Sequence, residues 1–101
     1  MPEFVNPFSG LKSERKLTRE ELIRAIRFMI SAEYEAVQLY MQLAESIDHQ
    51  LAQEVLRDIA DEERVHAGEF LRLLKELAPE EEKFYAEGAK EVEEEIKKIK
   101  K

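Results

Sequence analysis

At 101 residues the chain is one small domain, and a helical chain of that size buries large apolar surfaces only against a partner, so an oligomer is expected. It has no Cys and so neither a disulfide nor a thiolate metal site, and its net charge of -7 disfavours a nucleic-acid surface while attracting cations. No apolar run approaches the ~20 residues of a membrane span, and the N-terminus lacks the basic-then-apolar layout of a signal peptide. The expected location is therefore cytoplasmic, with no membrane and no nucleic acid as partner.

Residues 1–17 contain Pro2, Pro7 and Gly10, show no helical period and are expected to form an extended arm. Phe4, Val5, Phe8 and Leu11 make that arm apolar, so it is expected to dock on its own bundle or on a neighbour. Thr18-Arg19-Glu20-Glu21 has the form of a capping box and starts a helix that runs to about Ser46. Asp48 is the expected N-cap of a second helix from about His49 to Leu77, with His49 a surface or capping residue. Pro79 ends that helix and suits the first position of a third. The third helix carries a thin seam of Tyr85, Ala89, Val92, Ile96 and Ile99, with acidic residues early and lysines late, and needs a packing partner to persist. The expected fold is all-α: an antiparallel helical hairpin over residues 18–78 plus a C-terminal helix over 79–101. Such a hairpin completes a four-helix bundle only as a homodimer.

Each hairpin helix has an apolar stripe interrupted by ligand-type side chains. In the first, Ile26, Ile30, Glu33, Val37, Tyr40, Ala44 and Ile47 recur by fours and threes. In the second the stripe is Ala52, Leu56, Ile59, Glu63, His66, Phe70, Leu73 and Leu77. A buried carboxylate is costly unless paired, and a shared cation offsets that cost when two such stripes face each other. Glu63 and His66, three apart on one helical face, can hold one ion or bridge two, with Glu33 as the third ligand. Two other readings stay open: a surface Glu33 on a slightly rotated helix, and seam polar residues that only fix register. Carboxylate-bridged two-metal bundles take a Glu from each of two helices and a Glu-x-x-His from each of the other two. One chain supplies half of that set, so the site is expected across a two-fold axis between two copies.

The runs Ser31-Ala32-Glu33-Tyr34-Glu35-Ala36-Val37-Gln38-Leu39-Tyr40 and Asp61-Glu62-Glu63-Arg64-Val65-His66 resemble the ferritin-like superfamily. They are most similar to the encapsulated ferritins, half-length relatives of rubrerythrin, and the resemblance covers about residues 20–78. It implies that Glu33, Glu63 and His66 of two chains hold two iron ions in a ferroxidase centre. It further implies that dimers form an annular decamer, and that the protein acts in iron storage or detoxification inside an encapsulin nanocompartment. By the same resemblance Glu35 belongs to an outer site where metal enters. Glu62, one residue off the stripe, could ferry ions, and Tyr40 could hydrogen-bond a ligand carboxylate. The ligand types also accept manganese or zinc. The chain departs from the family in ending Ile-Lys-Lys-Ile-Lys-Lys rather than in a Gly-Ser-Leu type docking tail, and in having Leu39 where some members carry Trp. The segment Asn6 to Lys12 is similar in composition to such a tail. The alternatives are a rubrerythrin-like peroxide reductase and a non-enzymatic metal-binding oligomerisation module.

Overall fold

The computed structural model describes Lys12 and residues 14–100. Three helices follow in order: α1 over Arg19–Glu45, α2 over Gln50–Leu77 and, after a single 3-10 turn at Pro79–Glu81, α3 over Glu82–Ile99. The apolar arm residues Phe4, Val5, Phe8 and Leu11, and the segment Asn6 to Lys12 apart from Lys12, lie outside the described residues.

The capping box that opens α1 is fully formed. The Glu21 amide donates to Thr18 Oγ1 at 3.2 Å, and the Thr18 amide donates back to Glu21 Oε1 at 2.9 Å. Arg15 closes on the same carboxylate with both guanidinium nitrogens, at 2.8 and 2.7 Å. The Arg15 hydrogen bond first, then the Thr18 amide, hold the Glu21 carboxyl down at about 2. At the other end of α1, Ser46 Oγ donates to the Gln42 carbonyl at 2.7 Å.

The turn differs from the expected one by a residue. His49, not Asp48, is the N-cap of α2, with its Nδ1 accepting the Ala52 amide at 3.2 Å. An imidazole nitrogen on an extended residue serves the orphan amide as a carboxylate would, so the helix starts one position later. Gln53 then braces the turn, its Nε2 donating to the carbonyls of Ile47 at 2.6 Å and Ala44 at 3.3 Å.

α1 and α2 pack along their length. The principal core lies where α1 begins and α2 ends: Ile23, Ile26 and Ile30 meet Leu74 and Ala78, with Phe70 and Leu77 against them. Towards the turn the facing residues shrink to Ala44 and Ala60, both 0% exposed. The α1 stripe runs as expected, Ile26 through Ile47 being buried or half-buried throughout.

The α2 stripe is corrected at two of its positions. Leu56, Glu63 and Phe70 turn inward, but Ala60, Ala67 and Leu74 are the buried residues beside them, while His66 and Leu73 are exposed. Alanines let the two helices approach closely, so they occupy the contact line and push the bulkier His66 and Leu73 to its flank. The inward line Leu56, Ala60, Glu63, Ala67, Phe70, Leu74, Ala78 follows the period of a straight helix better than the strict heptad does.

α3 has no buried residue and makes no extended contact with α1 or α2. It leaves the hairpin as an arm, and the chain spans 56 × 46 × 20 Å. Three side chains set its departure. Arg19 donates to the Leu77 carbonyl, Arg27 pairs with Glu81, and the Tyr85 hydroxyl donates to Glu81 Oε1 at 2.8 Å. That hydrogen bond, followed by loss of solvent, raises the Tyr85 hydroxyl above its ordinary pKa. Among the described residues no helix is long and apolar enough to cross a membrane.

Candidate metal centre

Glu33 comes from the middle of α1, and Glu63 and His66 come from the middle of α2. Their periodicity puts the two glutamates on the contact line, where Glu33 is 18% and Glu63 19% exposed at the side chain. His66 stands on the flank, 47% exposed. Its Nδ1 lies 3.7 Å from Glu33 Oε2 and 3.6 Å from Glu63 Oε2. One ligand atom from each of the three residues falls within 4.8 Å of the others, and no other such group exists among the described residues.

These distances are too long for hydrogen bonds and suit a shared cation. Ligand atoms bonded to a metal at roughly 2.0–2.2 Å sit roughly 3 to 3.5 Å apart. Glu33 Oε2 decides whether the donor set fits: it is a buried oxygen with no hydrogen-bond partner among the described residues. An orphaned carboxylate oxygen in the interior costs of the order of 1–3 kcal/mol, a cost that a bound cation removes. Two carboxylates and an imidazole make a mixed oxygen and nitrogen set suited to iron, manganese or zinc.

The remaining sequence candidates are not drawn into this cluster. Glu35 is half-buried and Glu62 exposed, and neither belongs to the triad. Tyr40 is half-buried on the α1 stripe, and no hydrogen bond links its hydroxyl to the triad. Beside the triad an open groove of about 430 Å³ is lined by Tyr34, Val37, Gln38, Arg64, Ala67, Gly68 and Leu71. Tyr34 lies one residue off the α1 stripe, and neither it nor Gly68 was singled out by the sequence pattern. The available signal was a mid-helical glycine, which costs about 1 kcal/mol relative to alanine; a Cβ built on Gly68 meets nothing within 4 Å.

The rubrerythrin family model matches residues 24–101, which takes in α1 from its second turn, all of α2 and the whole triad. The chain belongs to the rubrerythrin family. Within it, this rubrerythrin-family chain is 42% identical over 81 residues to the encapsulin nanocompartment cargo protein EncC of Myxococcus xanthus, a match covering 80% of this chain. It is 37% identical over 90 residues, 89% of its length, to a ferritin-like-encapsulin shell fusion protein of Pyrococcus furiosus. The matches span 61% and 26% of those two proteins. Among solved structures, the encapsulated ferritin domain from Pyrococcus furiosus superposes with a TM-score of 0.79 at 37% identity, covering 83% of this chain and 86% of that one. The rubrerythrin-family hairpin, the mixed-ligand triad and the encapsulated-ferritin likeness therefore coincide in one stretch of chain.

Proposed function

We propose that this protein is a ferroxidase whose di-iron centre is completed by two copies of the chain. The observation that carries this reading is the convergence of Glu33, Glu63 and His66 from two helices around a buried Glu33 oxygen that has no hydrogen-bond partner among the described residues. Iron is the substrate. Across a dyad the triad doubles to four carboxylates and two imidazoles, the donor set of a two-metal carboxylate bundle. Two Fe(II) ions give up two electrons there, and dioxygen takes them up. The carboxylates favour the product because hard anionic oxygens stabilise the higher charge of Fe(III). His66, half-exposed on the flank, supplies the nitrogen ligand from the side that a second copy would cover.

In this reading residues 18–78 form the catalytic hairpin, 1–17 a docking arm and 79–101 an assembly helix. Glu35 and Glu62 belong to the route by which cations reach the triad, and Tyr40 adjusts a ligand carboxylate from behind. Dimers build a larger annular oligomer. The likeness to an encapsulin cargo protein and to a ferritin-like-encapsulin shell fusion supports an encapsulin shell as the partner that stores the oxidised iron.

The test is Fe(II) titration of the full chain in the absence of oxygen, with native mass recorded at each step, followed by stopped-flow absorbance after adding dioxygen or hydrogen peroxide. Two Fe(II) per dimer and a faster reaction with dioxygen are expected, both lost in Glu63→Ala. A faster reaction with peroxide would point to the peroxide reductase. Fe(II) uptake equal in Glu63→Ala and the parent would overturn the centre itself, and manganese and zinc titrations alongside test its selectivity.

A further inference from the structure

We propose that the apolar arm preceding α1 docks in the cleft between α2 and α3 of its own chain, with the Phe8 ring in the cavity there. The cavity, of about 290 Å³, is lined by Leu71, Leu74, Lys75 and Ala78 at the end of α2 and by Glu82 and Tyr85 at the start of α3. Leu74 and Ala78, both buried, are its floor, and Leu71 and Tyr85, 45% and 53% exposed, are its apolar walls. Lys75 Nζ lies 3.5 Å from Glu82 Oε1 and ties the two helices together at the rim. An apolar hollow with an ionic lip favours an occupant that is small and apolar.

The chain itself supplies such an occupant. Phe4, Val5, Phe8 and Leu11 crowd into one short segment, and Pro2 and Pro7 oppose a helix that could bury them against one another. They lie within reach. Arg19, the first residue of α1, donates to the Leu77 carbonyl, and Ile23 packs with Leu74 and Ala78, so the arm joins the hairpin at the cavity's own end. From Leu71 to Ala78 α2 rises about 10 Å, whereas the chain from residue 1 to residue 11 extends to about 35–40 Å.

Charge and tethering favour this segment over a free partner. The only charged side chain among residues 1–11 is Glu3, and the cations lining the cavity are Arg72 and Lys75. A tethered segment acts at an effective concentration in about the millimolar range, so a modest apolar contact is enough to hold it. Docked there, the arm fills the angle between α2 and α3 and backs the brace of Arg27, Glu81 and Tyr85 that sets the departure of α3.

The proposal rests on the reading above only in taking residues 1–17 as a docking arm, and Glu63→Ala is expected to leave every result below unchanged while losing iron uptake. The parent chain has no cysteine, so a disulfide can report the contact. Leu71 follows the inward Phe70 by one residue and Leu73 precedes the inward Leu74 by one, so these two exposed leucines stand on opposite flanks of α2. The full chain carrying Ser9→Cys and Leu71→Cys is oxidised mildly and run on a denaturing gel without reductant. A link within one chain is expected, on the order of tenfold faster than in Ser9→Cys with Leu73→Cys. Equal rates for the two pairs, including no link in either, would overturn docking in the cleft. Links between chains as the main product would overturn docking within one chain and give the cleft to a neighbour's arm. Hydrogen exchange supplies a second measurement without cysteines. In Phe4→Ser, Phe8→Ser the amides of residues 71–85 are expected to exchange several-fold faster than in the parent, with those around Glu33 unchanged. Exchange over residues 71–85 equal to the parent's would overturn the proposal.

Discussion

Where α1 begins and α2 ends, three isoleucines pack on Leu74 and Ala78; nearer the turn the facing residues are Ala44 and Ala60, with Glu33 and Glu63 lying between these two zones. The isoleucine end satisfies itself within one chain. The turn half does not: from Glu33 to Glu63 inclusive the sequence carries nine carboxylates and a single side-chain cation, Arg57, unless a histidine is protonated. Large apolar side chains hold the hairpin at one end, which allows the other end to keep polar groups that a self-sufficient core would exclude. Stability and chemistry are thus separated along the same pair of helices rather than shared between domains.

The largest effect is expected at the isoleucine end. Ile26→Ala should lower the stability of the folded chain by about 2–5 kcal/mol, as removal of a buried branched side chain does, and be read from urea unfolding in chelator. The same measurement should move the other way for Glu33→Leu. Replacing the orphaned carboxylate is expected to raise metal-free stability by about 1–3 kcal/mol while abolishing iron binding, and a destabilised metal-free variant would remove the contrast between the two zones. Gln53→Ala frees the two carbonyls that its amide braces at the turn, so a loss of about 1–2 kcal/mol is expected there, with amide exchange quickening around Ile47.

The smallest effect concerns pH and the start of α1. The Glu21 carboxyl is held at about 2 in the folded chain, below its ordinary 4.5, so its contribution is present above about 4.5 and is lost as pH falls towards 2. Because the group is solvent-exposed the change should be small and salt-sensitive, and Glu21→Gln should flatten it in acid titrations followed by circular dichroism.

Local chemistry explains which parts of the fold were legible in the sequence. Thr18 with Glu21, and Pro79, mark helix ends through interactions only a few residues long, so the start of α1 and the end of α2 could be read directly, whereas Pro79 opens a 3-10 turn and α3 itself begins three residues later than expected, at Glu82. The rotation of α2 could not. Leu73 and Leu74 are alike and adjacent, and only the close approach permitted by Ala60 and Ala67, a tertiary property, selects Leu74 and leaves His66 on the flank. Sequence placed the two glutamates on the contact line because isoleucine, valine and leucine surround them at helical spacing. The N-cap slipped by one residue because Asp48 and His49 can both accept an amide hydrogen, and their neighbouring backbone decides between them.

Glu81 receives Arg27 from α1 and Tyr85 from α3 on the same carboxylate, so the bearing of the outward helix is fixed by one residue at its root. Should α3 join neighbouring copies, that carboxylate becomes an angular gauge for the whole particle. A few degrees at each joint, repeated from copy to copy, decide whether a row of subunits meets its own beginning or spirals past it.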